Sequence, residues 1–285
     1  MTTPSSIPHS AFPVPGTIAF IGGGNMARSL IGGLIARGTS PASIRVAEPV
    51  EVLREALERD FGVSVFATAL EAASDASLWL LAVKPQVMRT VCEGMAAVAQ
   101  SSRPLVVSIA AGITAQQMQR WLGGDAAIIR AMPNTPALLG AGVTGLFATA
   151  QVDAAGRQRT EDLLASAGST VWIEDEAKMD AVTAVSGSGP AYVFLLAEAM
   201  EAAAKAEGLT DHAARALVLQ TILGAGRMLT ESDEAPAELR KRVTSPNGTT
   251  QAAIETFQEG GFAQLVGKAI HAASERGKEL SAAND

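Results

Sequence analysis

Gly22, Gly24 and Ala27 stand in the spacing G-x-G-x-x-A. They follow the apolar run TIAFI at 17–21 and precede a helical pattern with apolar Met26, Leu30, Ile31, Leu34 and Ile35. A strand that turns tightly at the first glycine, exposes bare backbone at the second and packs a small residue at Ala27 offers free helix N–H groups to a pyrophosphate. A fingerprint of this kind is weak alone, but the strand before it, the helix after it and the βαβ pattern beyond it favour a dinucleotide site over a structural turn. Gly22, Gly24, Asn25 and Met26 are its candidate contacts.

Glu48 ends the next apolar run, about 20 residues past Ala27, where an acid meets the adenosine ribose. A carboxylate there accepts from a 2′-hydroxyl and repels a 2′-phosphate, which leans the cofactor slightly towards NADH over NADPH. Two other readings stand beside it: Glu48 caps the helix that begins after Pro49, or Arg45 folds back to neutralise it. Further along, Ala82, Val83, Lys84 and Pro85 leave the fourth strand where ligands of open α/β sheets lie. Ile109, Ala110 and Ala111 leave the fifth, with small side chains that give room to a flat ring. Arg130–Pro136 reads RAMPNTP, a rigid polar loop after the sixth. Two later segments are rich in glycine and hydroxyls: SGSGP at 186–190 and TSPNGTT at 244–250. The second is a natural carboxylate site, and ordinary helix capping explains either segment equally well.

The elements that must position these residues divide the chain in two. Apolar runs at 17–21, 44–47, 63–66, 78–83, 105–109 and 127–131 alternate with helical patterns, as parallel strands joined by crossover helices do. Runs at 143–147 and 170–173, flanking a helix over 153–167, complete the sheet. Beyond Glu174 the pattern is helical only, over 178–185, 190–207, 211–229, 237–243, 249–259 and 262–283. The expected organisation is a disordered arm at 1–16, an α/β Rossmann-type doubly wound domain at 17–175 and an all-α domain at 176–285. That last segment is small for a core of its own, so it is expected to pair with a second copy.

Composition excludes several classes. The net charge of −7 offers no basic surface to nucleic acid, and one tyrosine with 4% aromatics offers no stacking platform. One cysteine and three histidines make neither a disulfide nor a common zinc site. Cys92 reads as buried packing. The start MTTPSSIPHSAFPVPG lacks the pattern of a secretory signal and no apolar run is long enough to span a bilayer, so no membrane association and a cytoplasmic location are expected.

Taken together, FIGGGNMA at 20–27, AVKPQ at 82–86, SIAAG at 108–112, RAMPNTP at 130–136, AVSGSGPAY at 184–192 and VTSPNGTT at 243–250 resemble the pyrroline-5-carboxylate reductases. The resemblance covers nearly the whole chain after the arm. It implies reduction of the imine of 1-pyrroline-5-carboxylate to L-proline by NADPH or NADH, the last step of proline biosynthesis. It also implies that Ala82–Pro85 and Ile109–Ala111 hold the nicotinamide. Ser245, Thr249 and Thr250 would hold the substrate carboxylate, Thr183 would place its hydroxyl at the ring nitrogen, and Glu176 would be a further substrate contact. No metal is implied. Members resemble one another in forming homodimers through the helical domain, some assembling further into decamers. Two departures bear on the cofactor: Glu48 stands where relatives that prefer NADPH often carry a small hydroxyl residue, and Arg242 stands where some have an asparagine.

Two other readings compete. The layout is similar to the β-hydroxyacid dehydrogenases, whose helix-borne lysine acts on an alcohol, with Lys178 and Lys205 the candidates here. A dinucleotide-sensing protein would keep the fold without turnover.

Overall fold

The computed structural model describes residues 14–283. Eight strands, β1 Ile18–Ile21, β2 Ile44–Ala47, β3 Ser64–Phe66, β4 Leu78–Leu81, β5 Leu105–Ser108, β6 Ala127–Met132, β7 Gly142–Ala148 and β8 Gly168–Trp172, form one sheet. Their order is β3-β2-β1-β4-β5-β6-β7-β8. The connecting helices are α1 Asn25–Ala36, α2 Glu51–Phe61, α3 Ala69–Ala73, α4 Pro85–Ser102, α5 Ala115–Trp121 and α6 Ala154–Leu164.

Every residue of β1, β4 and β5 is buried, which is why these strands read as unbroken apolar runs. Alternate side chains serve opposite faces. Ile18 and Phe20 join Leu30, Ile31 and Leu34 of α1 in one core, while Ala19 and Ile21 join Trp79, Met88 and Cys92 in the other.

The first six strands are parallel, as expected, but β7 runs antiparallel to β6, with Arg130 opposite Phe147. The link from Met132 to Gly142 contains only the 3₁₀ turn Thr135–Leu139, and it is shorter than the dozen or so residues a crossover needs. β8 then pairs parallel with β7 through α6.

The expected disordered arm falls mostly outside the described residues, but its end is fixed. Val14 is buried, and Arg159 donates to the Pro15 carbonyl at 3.1 Å. Residues 14–16 of the expected arm are therefore packed onto the α/β unit.

Contacts divide the chain into two units. The first runs to Gly187, past the expected break at 175, and takes back the chain from Ala273. It includes α7, Met179–Val182, and the π-helical turn Thr183–Gly187. The second unit, Ser188–Ala272, is all helix: α8 Gly189–Ala206, α9 Asp211–Glu231, α10 Pro236–Arg242, α11 Thr249–Glu259 and the first half of α12, Phe262–Ala282. Among its described large apolar side chains only Val218 and Leu239 are buried, whereas Phe194, Leu195 and Leu265 are about two-thirds exposed. A helical array that buries so little of its own apolar surface is built to be covered.

Candidate active site

The sheet reverses its winding between β1 and β4, and the crevice beyond the ends of those strands is where open α/β sheets take ligands. Gly22 occupies that point with φ +106°, and a Cβ on it would lie 2.6 Å from the Ala82 carbonyl oxygen. No other residue type fits there. Gly24 is the N-cap of α1 and makes no side-chain cap, so the first N–H groups of the helix have neither an intrahelical acceptor nor a side chain over them. A Cβ at Gly24 would meet open space, Asn25 is exposed, and Ala27 is buried against the sheet. This donor set and clearance fit a dinucleotide pyrophosphate, with Gly22, Gly24, Asn25 and Met26 lining the approach.

Glu48 is buried, and its two oxygens go to different places. Oε2 accepts the Gly23 N–H at 3.2 Å and Oε1 accepts the Val50 N–H at 3.1 Å, where Val50 is the N-cap of α2. Glu48 therefore does cap the following helix, and it also lies against the glycine turn. Arg45 does not neutralise it. Its guanidinium donates to the Ala72 and Glu71 carbonyls and stacks on Phe66 at 4.2 Å. Arg54 instead braces the turn, donating to the Glu48 and Pro49 carbonyls at 2.8 and 2.7 Å.

The neighbouring strand ends are held in register by Ala82 N–H to Ile21 O at 2.8 Å and Ile109 N–H to Leu81 O at 3.1 Å. Lys84 is the exposed N-cap of α4 and Pro85 starts that helix. Val83, Ile109 and Ala110 are half-buried, and Ala111 is exposed. The buried Ser108 hydroxyl accepts the Ala110 N–H at 3.3 Å, fixing the start of this small-residue loop.

Thr183 opens the π turn, half-buried, with its hydroxyl donating to the Met179 carbonyl at 3.0 Å. Such wide turns recur at functional positions. Asn134 of the RAMPNTP loop clasps this turn: its Nδ2 donates to Ser186 O at 3.1 Å and its Oδ1 accepts the Val143 N–H at 3.0 Å. Glu176, expected at the substrate, has Oε1 shared between Arg130 Nη1 at 2.8 Å and the Ala115 N–H at 2.7 Å. Sequence reading assigned Arg130 no role beyond its motif. Its signal was an arginine inside the apolar strand AIIRAM, since a charge buried in a central strand demands a partner.

These residues all belong to the first unit, whereas Ser245, Thr249 and Thr250 belong to the second. There the chain turns through Asn247, at φ +55°, into α11. Gly248 is its N-cap without a side-chain cap, and its N–H bonds to Ser245 O at 3.0 Å. The N–H groups of Thr249 and Thr250 begin the helix with no intrahelical acceptor, and Ser245, whose carbonyl holds the Gly248 N–H, is exposed. Arg242 pairs with Glu234.

The competing lysines carry no sign of catalysis. Lys178 is exposed. Lys205 pairs with Asp211 at 2.9 Å, a hydrogen bond that raises its pKa, the wrong direction for a base at neutral pH. Cys92 is fully buried, and burial pushes its thiol up to about 12, so it is inert packing.

A sheet wound in this order, with a glycine turn at its reversal and an open helix start, defines a dinucleotide-binding protein. Accordingly, residues 17–112 match the family described as NADP oxidoreductase, coenzyme F420-dependent, and residues 176–280 match pyrroline-5-carboxylate reductase dimerisation. The chain is 51% identical over 264 residues to the pyrroline-5-carboxylate reductase of Pseudomonas aeruginosa, covering 93% of this chain and 96% of that one. It superposes on the structure of a Coxiella burnetii pyrroline-5-carboxylate reductase with TM-score 0.90 and 41% identity, over 93% of this chain and 98% of that one. The Plasmodium falciparum pyrroline carboxylate reductase with NADP bound gives 0.82 and 27%, over 95% and 100%. The chain belongs to the pyrroline-5-carboxylate reductase family. No helix among its described residues is long and apolar enough to cross a membrane.

Proposed function

We propose that this chain reduces 1-pyrroline-5-carboxylate to L-proline with NADH or NADPH, and that it does so as a homodimer joined through its helical unit. The observation that carries the reading is the open glycine cradle at the β1–β4 reversal, in a chain whose close relatives are named for this reaction. A reduced nicotinamide bound there supplies hydride to the imine carbon, and one proton completes the amine.

The chain's own residues have orientation and charge to provide, since a protonated imine is already a good hydride acceptor. Gly22, Gly24, Asn25 and Met26 would hold the pyrophosphate, and Glu48 the ribose. Ala82–Pro85 and Ile109–Ala111 would hold the ring that carries the hydride. Thr183 can turn its hydroxyl from the Met179 carbonyl to the substrate nitrogen. Glu176 keeps Oε2 for substrate while Arg130 and Ala115 secure Oε1. Ser245, with the N–H groups of Thr249 and Thr250, suits a carboxylate through two or three donors and the positive end of α11. The exposed apolar surface of α8, α9 and α12 supports pairing with a second copy, and dimers of this kind are the unit from which a decamer would be built.

The test is loss of reduced-nicotinamide absorbance with purified protein and 1-pyrroline-5-carboxylate, with NADH and NADPH in parallel. Turnover with either is expected, with NADH favoured. Cofactor binding without imine-dependent oxidation would point instead to a sensing protein.

A further inference from the structure

The end of α12 belongs to the first unit and touches it beside two segments that the proposed reaction uses. Leu280 and Ser281 lie against Gly112, whose φ is +71°. A Cβ there would stand 3.5 Å from Leu280 Cβ and 3.7 Å from the Ser281 nitrogen. One turn earlier, Gly277 faces Asp180 so closely that a Cβ would come within 3.1 Å of Asp180 Oδ1 and 3.2 Å of Asp180 Cβ. Asp180 lies in α7, whose Met179 carbonyl holds the Thr183 hydroxyl. Hydrogen bonds close the circuit from the other side. Gln117 of α5 donates to the Ser281 carbonyl at 3.2 Å, and Ala115 of the same helix donates to Glu176, just ahead of α7.

Resting on the reading of this chain as an imine reductase, we propose that the last turns of α12, Gly277–Ser281, are a positioning element that fixes the Thr183 turn relative to the loop Ile109–Gly112. Glycine inside a helix costs about 1 kcal/mol relative to alanine. At Gly277 the close approach of Asp180 accounts for it, whereas at Gly94 of α4 a Cβ would meet nothing within 4 Å. Lys278 on the same turn feels the Asp180 carboxylate, but the close approaches to Asp180 and Gly112 are made by Gly277, Leu280 and Ser281, which carry no charge, so the effect is on distance. A displacement of about 1 Å between reacting groups lowers turnover by as much as about a hundredfold.

The test compares the full-length wild type with Gly277→Ala, Gly277→Val, Gly277→Val/Asp180→Ala and the control Gly94→Val, measuring kcat, KM, NADH dissociation constant and melting temperature. Gly277→Val is expected to lower kcat about ten- to a hundredfold, and Gly277→Ala by less. The NADH dissociation constant should stay within about twofold of the wild type. The double variant should recover most of the loss by removing the Asp180 carboxylate, and Gly94→Val should match the wild type. If Gly277→Val does not fold, the graded loss in Gly277→Ala carries the same prediction. An active wild type with unaltered kcat in the Gly277 variants overturns the proposal alone. So does a loss of kcat that follows melting temperature and is not recovered in the double variant. A wild type that binds NADH but does not oxidise it with the imine overturns the enzymatic reading, and this proposal with it.

Discussion

Gly23 donates its backbone N–H to Glu48 Oε2 at 3.2 Å, tying the acid at the end of β2 to the glycine turn at the end of β1. The carboxylate is therefore oriented before any cofactor arrives, and each of its oxygens keeps a lone pair for a ribose hydroxyl. Glu48→Ser removes both that acceptor and the charge that repels a 2′-phosphate. The kcat/KM ratio of NADPH to NADH should rise, and the Gly23 and Val50 N–H groups left without an acceptor should cost about 1–3 kcal/mol of stability. Parallel kinetics and urea unfolding measure the two effects. A lost midpoint with an unchanged cofactor ratio would leave Glu48 as a cap alone.

Thr183 reaches its place through a π turn, and its hydroxyl rests on the Met179 carbonyl. Thr183→Ser keeps the donor and should keep most of the activity. Thr183→Ala should lower kcat roughly a hundredfold, at the low end for a group that assists proton transfer, with NADH affinity unchanged in a fluorescence titration. Equal turnover in Thr183→Ala and the wild type would remove the hydroxyl from the mechanism.

What the sequence disclosed was what local spacing encodes. The glycine turn, the buried strands and the helices of the second unit follow from periodicity over a few residues, and the burial of Cys92 was legible from the scarcity of histidines to activate a thiol. What it concealed depended on distance or continuity. Arg130 and Glu176 are 46 residues apart, so no local pattern joins them. The reversal of β7 rests on the shortness of the 133–141 link, not on the composition of the strand. α12 reads as one helix because it is one, and nothing in its periodicity marks the passage into the first unit at Ala273. The π turn at Thr183 leaves no residue signature, since only its hydrogen-bond pattern sets it apart.

Glu176 holds Arg130, whose side chain is 9% exposed, and the pair joins β6 to the start of α5. Glu176→Gln keeps the shape and removes the charge. Because Glu176 is itself a quarter exposed, the loss should be about 1–3 kcal/mol, below the cost of breaking a fully buried pair. If Oε2 serves the substrate, KM for the imine also rises. A fall in melting temperature with KM unchanged would make Glu176 purely structural.

Burial raises the Cys92 thiol from 9.0 to about 12. Below pH 9 the thiol is neutral whether the chain is folded or not, and its burial contributes fully. Between pH 9 and about 12 only the unfolded chain ionises, so this contribution falls as pH rises, by up to about 1.4 kcal/mol per unit. The stability advantage of the wild type over Cys92→Ala should therefore be smaller at pH 10 than at pH 8 in urea titrations. An equal advantage at both would mean that the thiol ionises in the folded chain as readily as in the unfolded one.

Leu219 and Leu223 lie four residues apart on α9, 44% and 57% exposed, and so share one face of the helix. Burying a large apolar side chain stabilises by about 1.5–3 kcal/mol. Two of them in each copy are a substantial part of what a second copy gains by covering that face. Replacing both with glutamate would put two charges into the contact without touching the helix's own sparse core at Ala214 and Val218. The wild type is expected to run as a dimer or larger assembly in light scattering, with a melting temperature that rises with protein concentration. Leu219→Glu/Leu223→Glu should run as a monomer, with the concentration dependence gone. Because Thr183 and the glycine cradle lie in the other unit, the variant should still bind NADH. An assembly unchanged in mass would show that this face of α9 is not where the copies meet.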